Sequence, residues 1–407
     1  MNTRAEAGRC GEQVRSDCHV GITMQDSGGI DIHMKSKVYV QYGRSNRALL
    51  EEACRTFDIE HARIDVDDSG ALPYTIAARF ETAVKRLRPE ESRSMLLPVR
   101  DGVYQPTARD RFRRSRLYLP GNDPKLSINA AIHGADGIIL DLEDSVAPAE
   151  KDAARILVRN ALREIDFLGA ERMVRINQGE LGRRDLEAII PERPNLILVP
   201  KVETGTELRR VHYFIAELRE QHGMDEEIHL MPIIESARGA VHAFEIASSA
   251  DSVVAIAIGL EDYTADLGVA RTNEGRESLW LRGAVVNAAR AAGVQAIDTV
   301  FSDVSDMDGL LESTREARAL GFDGKGCIHP RQIAVVHEGF APQEAEVEKA
   351  KRIVLAFDEA ERQGLGVVSL GSKMIDPPVV KRAQTTITLA IKSGLLSAEW
   401  KEENDEG

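Results

Sequence analysis

Short apolar runs alternate with helical stretches along the central part of the chain. Each run is rich in β-branched or aliphatic residues, and roughly ten to twenty residues with helical spacing of apolar positions follow it. The strands predicted in this way are residues 116–119, 137–142, 173–176, 196–199, 229–234, 254–258, 295–299 and 324–328. Their nearly unbroken hydrophobicity is typical of parallel strands that are buried on both faces.

Eight strands that alternate with helices can form either a closed barrel or a doubly wound open sheet. Polar residues at the carboxyl ends of the strands favour the barrel, because barrel enzymes assemble their active sites on that rim. These residues are Glu143, Asp144, Arg175, Asn177, Lys201, Glu235, Glu261, Asp262, Asp298 and His329. We therefore predict an α/β fold in which a (β/α)8 TIM barrel carries the active site.

The segments on either side of the barrel have different patterns. Residues 21–87 read as strand, helix, strand, helix, which predicts a small α+β module, and residues 88–114 mix Pro, Arg and Ser with little periodicity. After the barrel, a long amphipathic helix is predicted around residues 344–363, followed by a glycine-flanked segment that carries Lys373 and Asp376. We place the domains at 1–87, 114–340 and 341–407, with a linker at 88–113.

Composition narrows the class of protein. With 43% hydrophobic and 29% charged residues among 407, the chain has the balance of a soluble globular protein with more than one domain. A net charge of −14 disfavours a nucleic-acid partner. The four cysteines form no CxxC pair, and no apolar run is long enough for a signal peptide or a membrane span. We expect a cytoplasmic protein that does not act at a membrane.

The rim residues suggest metal chemistry. Glu235 and Asp262 follow adjacent strands, and two carboxylates with open positions beside them fit Mg²⁺ that also binds substrate. Glu143 and Asp144 would then lie behind the metal and orient Arg175, whose guanidinium can stabilise an oxyanion. Lys201 is a candidate for substrate binding, although a lysine at a barrel rim can also form a Schiff base.

Nine motifs resemble the citrate lyase beta-subunit family of the HpcH/HpaI aldolase superfamily. They are RSRLYLPGN (114–122), GADGIILDLEDSVAPAEKDAAR (134–155), VRIN (174–177), VPKVET (199–204), PIIESARG (232–239), AIGLEDYTADLG (257–268), QAIDTV (295–300), GFDGKGCIHPRQI (321–333) and GLGVVSLGSKMID (364–376). The resemblance runs from about residue 114 to residue 382.

The resemblance implies a carbon–carbon lyase with Mg²⁺ at Glu235 and Asp262 and a substrate-binding Arg175. It implies that Asp376 lies on a lid that closes over a neighbouring subunit, so that a trimer or hexamer with lid exchange is required. Residues implied to hold the CoA or carrier arm are Tyr118, Pro120, Gly121 and Asn122.

The N-terminal module resembles the citrate lyase acyl carrier protein, or gamma subunit, through SDCHVGI (16–22), VYVQYG (38–43) and VDDSGALPYTIAAR (66–79). In that family a serine carries a phosphoribosyl-dephospho-CoA arm. An alignment on Asp17 places Arg15 at the modified position, and Ser16 lies one residue away. Either Ser16 carries the arm, or the module is unmodified and the barrel uses free CoA thioesters.

Three functions follow as alternatives. The first is cleavage of citryl-ACP or citryl-CoA to oxaloacetate and an acetyl thioester, with a citrate lyase alpha subunit, a CoA-transferase, as a possible partner. The second is a lyase for citramalyl-CoA or malyl-CoA. The third is a non-catalytic carrier and scaffold protein, which replacement of Asp262 would leave unaffected.

Overall fold

The computed structural model describes residues 3–363, 368–370 and 373–401. The strands are β1 (Arg4–Gly8), β2 (Cys18–Met24), β3 (Ile30–Ser36), β4 (Ala62–Asp68), β5 (Ser115–Pro120), β6 (Gly137–Asp141), β7 (Glu171–Arg175), β8 (Leu196–Val199), β9 (His229–Ile234), β10 (Ala255–Ile258), β11 (Gln295–Asp298), β12 (Gly324–Cys327), β13 (Val368–Leu370) and β14 (Lys373–Ile375). The helices are α1 (Tyr39–Thr56), α2 (Pro73–Leu87), α3 (Pro124–Ile128), α4 (Lys151–Glu164), α5 (Gly179–Ile189), α6 (Gly205–Gln221), α7 (Ala237–Val241), α8 (Ala243–Ala247), α9 (Leu260–Leu267), α10 (Leu279–Ala292), α11 (Met307–Leu320), α12 (Arg331–Phe340), α13 (Glu344–Arg362) and α14 (Pro377–Lys392). No helix within these ranges is long and apolar enough to cross a bilayer.

Strands β5 to β12 form a closed barrel of parallel strands. Their order around the barrel is their order in the chain, and β12 closes the ring by pairing with β5. Helices connect the successive strands, because parallel neighbours need a crossover connection. The predicted (β/α)8 barrel is confirmed, and each strand lies within two residues of its predicted position.

Apolar side chains fill the barrel and the layer around it. Inside the barrel a buried cluster includes Ile139, Met173, Leu198, Met231 and Ile297. A larger cluster outside packs the helices against the strands. Since side chains occupy the interior, the space open to a ligand lies at the carboxyl ends of the strands.

The N-terminal module is a four-stranded sheet with the order β1-β2-β4-β3, against which α1 and α2 pack. Strands β3 and β4 are parallel, and the other pairs are antiparallel. The predicted small α+β module is confirmed, but the predicted order of strand, helix, strand, helix was wrong, because β1 and β2 precede β3. Strand β1 was missed because Ala7 is its one buried residue, which leaves no alternating apolar pattern to recognise.

Helix α2 fixes this module to the barrel helix α4. Arg159 donates from Nη1 and Nη2 to the two carboxylate oxygens of Glu81, at 2.9 and 2.7 Å, and both side chains are buried. Tyr74 and Ala78 of α2 belong to the apolar cluster outside the barrel. Loss of one partner from a buried ion pair costs about 3–5 kcal/mol, so this contact holds the module firmly in place.

The segment between the module and the barrel forms neither helix nor strand over residues 88–114. It is nevertheless packed against both. The main-chain N–H of Met95 donates to Glu81 Oε2 at 2.7 Å. Arg113 forms a fully buried ion pair with Glu171, at the amino end of β7, at 2.7 Å.

Helices α13 and α14 form a helical hairpin with its own apolar core, which includes Val347, Ile353, Val380 and Ile387. The predicted amphipathic helix around residues 344–363 agrees with α13. Strands β13 and β14 pair antiparallel between the two helices. Residues 364–367 and 371–372, which belong to the predicted lid, lie outside the described residues.

Candidate active site

A cavity of about 260 Å³ opens at the carboxyl ends of the barrel strands. Its lining includes Tyr118, Asp141, Arg175, Glu235 and Asp262, which come from or directly follow five different strands. A larger groove of about 660 Å³ lies between α5 and α6, and a cleft of about 680 Å³ lies beside α10 and α11. Neither of these contains both candidate metal ligands, so we place the candidate active site in the smaller cavity.

Arg175 ends β7 and is held chiefly by Asp141, the last residue of β6. Its Nε and Nη2 donate to the two carboxylate oxygens of Asp141, each at 2.7 Å, and Asp141 is 1% exposed. Burial alone would lower the pKa of Arg175, but the hydrogen bonds to Asp141 outweigh it and hold the pKa above its usual value. Asp141 was not among the predicted site residues, although a polar residue that ends the apolar run 137–140 was a usable signal.

Glu143 and Asp144 lie beside Arg175, and Lys201 joins them. Arg175 Nη1 is 2.9 Å from Glu143 Oε2 and 3.9 Å from Asp144 Oδ2. Lys201 Nζ donates to Glu143 Oε1 at 2.8 Å and to Asp144 at 3.3 Å. Burial alone would lower the pKa of Lys201, but the hydrogen bond to Glu143 outweighs it, so the lysine stays protonated. A protonated, ion-paired lysine is a poor nucleophile, which disfavours the Schiff-base alternative.

Glu235 follows β9, and Asp262 lies in the first turn of α9, just after β10. Glu235 Oε2 accepts the main-chain N–H of Lys201 at 2.9 Å, and Lys201 Nζ lies 3.9 Å from Asp262 Oδ1. A Cβ at Gly259 would lie 2.7 Å from Glu235 Cγ and still closer to Glu235 Oε1, so glycine at this position leaves space for the Glu235 side chain. Burial raises the pKa of Glu235 to about 7, and the negative charge of Glu143 adds to the effect.

Carboxylates outnumber cations in this network of side chains. The acids are Asp141, Glu143, Asp144, Glu235 and Asp262, and the cations are Arg175 and Lys201. Hard oxygen donors with surplus negative charge fit Mg²⁺. Across the described ranges, no group of three or more His, Cys, Asp or Glu side chains forms a ready metal cage. A metal held by the pair Glu235 and Asp262 would keep positions for water or substrate.

The candidate residues for the CoA or carrier arm, Tyr118, Pro120, Gly121 and Asn122, lie at the end of β5 and in the loop after it. Tyr118 lines the cavity, and its ring centroid is 5.4 Å from the guanidinium carbon of Arg175. The N–H of Gly121 donates to the carbonyl oxygen of Asp141 at 2.8 Å, and a Cβ at this position would lie only 2.6 Å from that oxygen. Asn122 is 8% exposed, so protein contacts hold this end of the loop.

Ser16 lies in the loop before β2, close to the same part of the barrel. It is partly exposed and adopts a left-handed conformation with φ of 57°, and its N–H donates to the carbonyl oxygen of Ser69 at 3.1 Å. Its neighbour Asp17 is buried and accepts two hydrogen bonds from Arg79, both at 2.9 Å. Arg79 Nη2 also donates to the carbonyl oxygen of Asn122 at 3.0 Å, which ties the Ser16 loop to the rim of the barrel.

Asp376 caps the start of α14, where its Oδ1 accepts the N–H of Val379 at 3.2 Å. No contact among the described residues of one chain joins it to Arg175. At the other end of α14, Lys392 Nζ lies 5.3 Å from the ring centroid of Phe112, near the amino end of β5. A helix of 16 residues is about 24 Å long, so Asp376 is remote from that anchor. Its catalytic role stays a prediction.

Comparison with known proteins gives two family matches. The model for HpcH/HpaI aldolase/citrate lyase matches residues 114–330, and an acyl carrier model described as malonate decarboxylase delta subunit (MdcD) matches residues 5–87. The citrate lyase subunit beta of Leuconostoc mesenteroides subsp. cremoris is 41% identical over 293 residues, which are 71% of this chain and 97% of that protein. The mitochondrial citramalyl-CoA lyase of Homo sapiens is 34% identical over 328 residues, which are 77% and 96% of the two chains.

A solved structure has the same fold over the barrel. The crystal structure of CitE from Mycobacterium tuberculosis, in complex with magnesium, acetoacetate and coenzyme A, matches with a TM-score of 0.58 at 33% identity. The match covers 70% of this chain and all of CitE. The resemblances found in the motifs are thus confirmed for the barrel and, as an acyl-carrier-like domain, for the N-terminal module. The chain belongs to the HpcH/HpaI aldolase/citrate lyase family and is a carbon–carbon lyase.

Proposed function

We propose that the chain uses Mg²⁺ to cleave a 3-hydroxy-3-carboxy acyl thioester, with a citryl thioester as the main candidate. The products are then oxaloacetate and an acetyl thioester. One observation carries the proposal: the surplus of carboxylates around Glu235 and Asp262, directly beside the protonated Arg175. The magnesium in the M. tuberculosis CitE complex and the names of the beta-subunit relatives support it.

The reaction is a retro-Claisen cleavage. A base removes the proton of the 3-hydroxyl group, the carbon–carbon bond to the thioester-bearing CH₂ breaks, and its electron pair forms the enolate of the acetyl thioester. Protonation of the enolate carbon gives the acetyl thioester, while the former carbinol carbon leaves as the ketone of the keto acid. Bound at Glu235 and Asp262, magnesium would supply Lewis-acid polarisation of substrate oxygens.

Arg175 is placed to stabilise the enolate oxygen. Its Nε and Nη2 bind Asp141, and Nη1 lies against Glu143, so the guanidinium cannot rotate freely. A guanidinium has five N–H donors, and those that remain on Nη1 and Nη2 can face a substrate oxygen. A donor fixed before the reaction stabilises developing charge at no reorganisation cost. Lys201 keeps Glu143 and Asp144 in place through its ammonium group.

We further propose that Asp376 transfers the proton at the enolate carbon and reaches the site from a neighbouring chain in a trimer or hexamer. The separate core of the hairpin supports this arrangement. A hairpin with its own core can extend over another subunit without unfolding.

Ser16 is our candidate attachment site for a covalent acyl-carrier arm. Its partial exposure and its link through Asp17 and Arg79 to Asn122 support this role, because an arm that starts there begins beside the barrel rim. A separate alpha subunit would then load the arm. The alternative is that free citramalyl-CoA or malyl-CoA is the substrate, which the human citramalyl-CoA lyase and the coenzyme A bound by CitE favour.

The experiment that tests the lyase is incubation of the purified protein and Mg²⁺ with citryl-CoA, citramalyl-CoA and malyl-CoA. Release of oxaloacetate, pyruvate or glyoxylate identifies the acyl group, and absence of a keto acid from all three would refute the proposed lyase. Asp262→Ala should abolish the release. If this variant releases keto acid at the wild-type rate, the activity belongs to a contaminant. The non-catalytic scaffold alternative would then remain.

Intact-mass spectrometry separates the carrier from the free-CoA alternative. A mass increment of prosthetic-group size that disappears in Ser16→Ala establishes the arm at Ser16. Ser36→Ala is the control, since Ser36 lies at the end of β3 and bonds Asp68 Oδ2 at 2.6 Å. An unmodified mass from a host that makes the prosthetic group would favour free CoA thioesters.

A further inference from the structure

Arg116 lies deep in the cavity, below the residues described so far. It is the second residue of β5, and Tyr118, two residues later on the same face, lies about 7 Å nearer the rim. Arg116 lines the same cavity as Arg175, Glu235 and Asp262, and it is 1% exposed. A cation therefore lies at the closed end of the cavity.

Glycines lie beside this arginine on both neighbouring strands. Arg116 pairs in register with Gly326 of β12 and with Gly137 of β6. Residues that pair on parallel strands project from the same face of the sheet, so larger residues there would place side chains beside Arg116 inside the barrel. A Cβ at Gly137 would lie 2.5 Å from Met173 Cε, and a Cβ at Gly326 would lie 2.6 Å from Val300 Cγ1. The two glycines therefore add no side chain of their own beside Arg116.

The charge of Arg116 has little compensation. Its Nη1 lies 3.0 Å from the sulfur of Met231, and its Nη2 donates at 3.4 Å to the main-chain carbonyl of Asp298. Its Nε is buried and has no hydrogen-bond partner among the described residues. The carboxylate of Asp298 is already bound by Lys325 at 2.7 Å and by Arg282 at 3.3 Å.

The other cation that lines the cavity, Arg175, is paired with Asp141 and Glu143. Among the described residues of this lining, Arg116 is thus the cation without a carboxylate partner. A buried guanidinium without a carboxylate partner is strongly stabilised when a carboxylate binds it in a bidentate manner. The charge-assisted hydrogen bonds then replace the hydration that burial removed.

We propose that Arg116 binds a second carboxylate of the acyl substrate and thereby selects a carboxymethyl substituent on the carbinol carbon over methyl or hydrogen. This inference rests on the proposed function. With the substrate's hydroxyl and neighbouring carboxylate at Glu235 and Asp262, the remaining substituent on that carbon can point to the closed end of the cavity. A substrate without the extra carboxylate leaves the buried Arg116 unpaired. Because an unpaired buried charge is unfavourable, the site discriminates against such a substrate. Citryl thioesters fit this requirement, and citramalyl and malyl thioesters do not.

The kinetic test compares kcat/KM for citryl-CoA, citramalyl-CoA and malyl-CoA in Arg116→Met, Arg116→Lys and the wild type. Arg116→Met should lower kcat/KM for citryl-CoA by at least about 100-fold and change the other two by less than about threefold. Arg116→Lys should retain part of the preference. Arg111→Met is the control, since Arg111 also donates to main-chain carbonyls, of Asp136 and Gly169, but lies outside the cavity. An equal loss for all three substrates, or no loss, would overturn the inference.

A binding test on the wild-type protein requires neither catalytic turnover nor a correctly folded variant. Wild-type protein with Mg²⁺ should bind oxaloacetate at least about tenfold more tightly than pyruvate in a calorimetric titration, because only oxaloacetate carries the second carboxylate. Equal affinities would overturn the role of Arg116 even if the protein is an active lyase. A clear preference for oxaloacetate without any thioester cleavage would support Arg116 and count against the proposed reaction alone.

Discussion

Arg79 donates a hydrogen bond from Nη2 to the main-chain carbonyl oxygen of Asn122, at 3.0 Å, and this bond joins the N-terminal module to the loop after β5. The same guanidinium binds the carboxylate of Asp17, and the side chains of this pair are 1% and 3% exposed. One buried arginine thus links the Ser16 loop to the rim of the barrel. We infer that the module is a fixed part of the lyase.

Replacement of Arg79 by Met should destabilise the protein by about 3–5 kcal/mol, because it leaves the carboxylate of Asp17 buried without a counterion. The free energy of unfolding in urea measures the change. The control is Arg63→Met, since Arg63 also binds an aspartate, Asp65, but the two side chains are 51% and 42% exposed. The control should lose no more than about 1 kcal/mol. Equal losses would show that the Arg79 contact is no stronger than a surface pair.

The contact between Glu81 and Arg159 should make stability depend on pH. Burial alone would raise the pKa of Glu81, but the hydrogen bonds from Arg159 outweigh it and hold the pKa below its ordinary value of 4.5. A carboxylate with a lowered folded-state pKa stabilises the fold above its unfolded pKa and loses this contribution as the pH falls through the folded value.

The Tm difference between wild type and Glu81→Gln should therefore be largest near neutral pH and should shrink below about pH 4.5. Thermal unfolding followed by circular dichroism over this range measures it. Glu51→Gln is a suitable control, because Glu51 forms a half-exposed pair with Arg47. A Tm difference for Glu81→Gln that stays constant on acidification would contradict the expected linkage.

The barrel was predictable because its strands are buried on both faces and therefore read as unbroken apolar runs. Rim residues such as Glu235 and Asp262 were predictable for the same reason, since polar residues that follow a buried strand lie at its carboxyl end. The structure does bring these two together in one cavity.

Other relationships depend on contacts between distant parts of the chain. Asp141 was missed because it lies inside the predicted strand 137–142, which continues to Leu142. Arg116 was recognised only as the start of a strand, since its importance follows from the cavity that it shares with residues of other strands. The pair of Glu81 and Arg159 joins residues 78 positions apart, and no local pattern indicates such a contact.

Glu235→Gln and Asp262→Asn should each weaken Mg²⁺ binding by at least about tenfold. Replacing a residue that hydrogen-bonds to a metal ligand already lowers metal affinity by about 10- to 100-fold. Loss of a ligand's own charge should lower the affinity at least as much. Calorimetric titration with MgCl₂ measures the affinity. Glu261→Gln is the matched control, because Glu261 adjoins Asp262 but pairs with Arg271 at 2.6 Å and is 65% exposed. A similar loss of Mg²⁺ affinity in the control would show that the affinity depends on the overall negative charge around the cavity and not on Glu235 and Asp262 as a specific pair of ligands.

Mixed oligomers test whether Asp376 acts in a neighbouring subunit. Asp376→Ala and Asp262→Ala should each be inactive as homo-oligomers, whereas their co-expression should restore activity. Random mixing combines an intact barrel with an intact lid at about a quarter of the sites, so roughly a quarter of wild-type kcat is expected.

The control carries both substitutions in one chain and is co-expressed with an inactive Asp376→Ala chain. In that mixture no site can combine an intact lid with an intact barrel, so activity should remain absent. If the first mixture is also inactive while its oligomers form normally, Asp376 does not act across subunits. If Asp376→Ala alone keeps wild-type kcat, its carboxylate takes no part in proton transfer, and the enolate must receive its proton from another group.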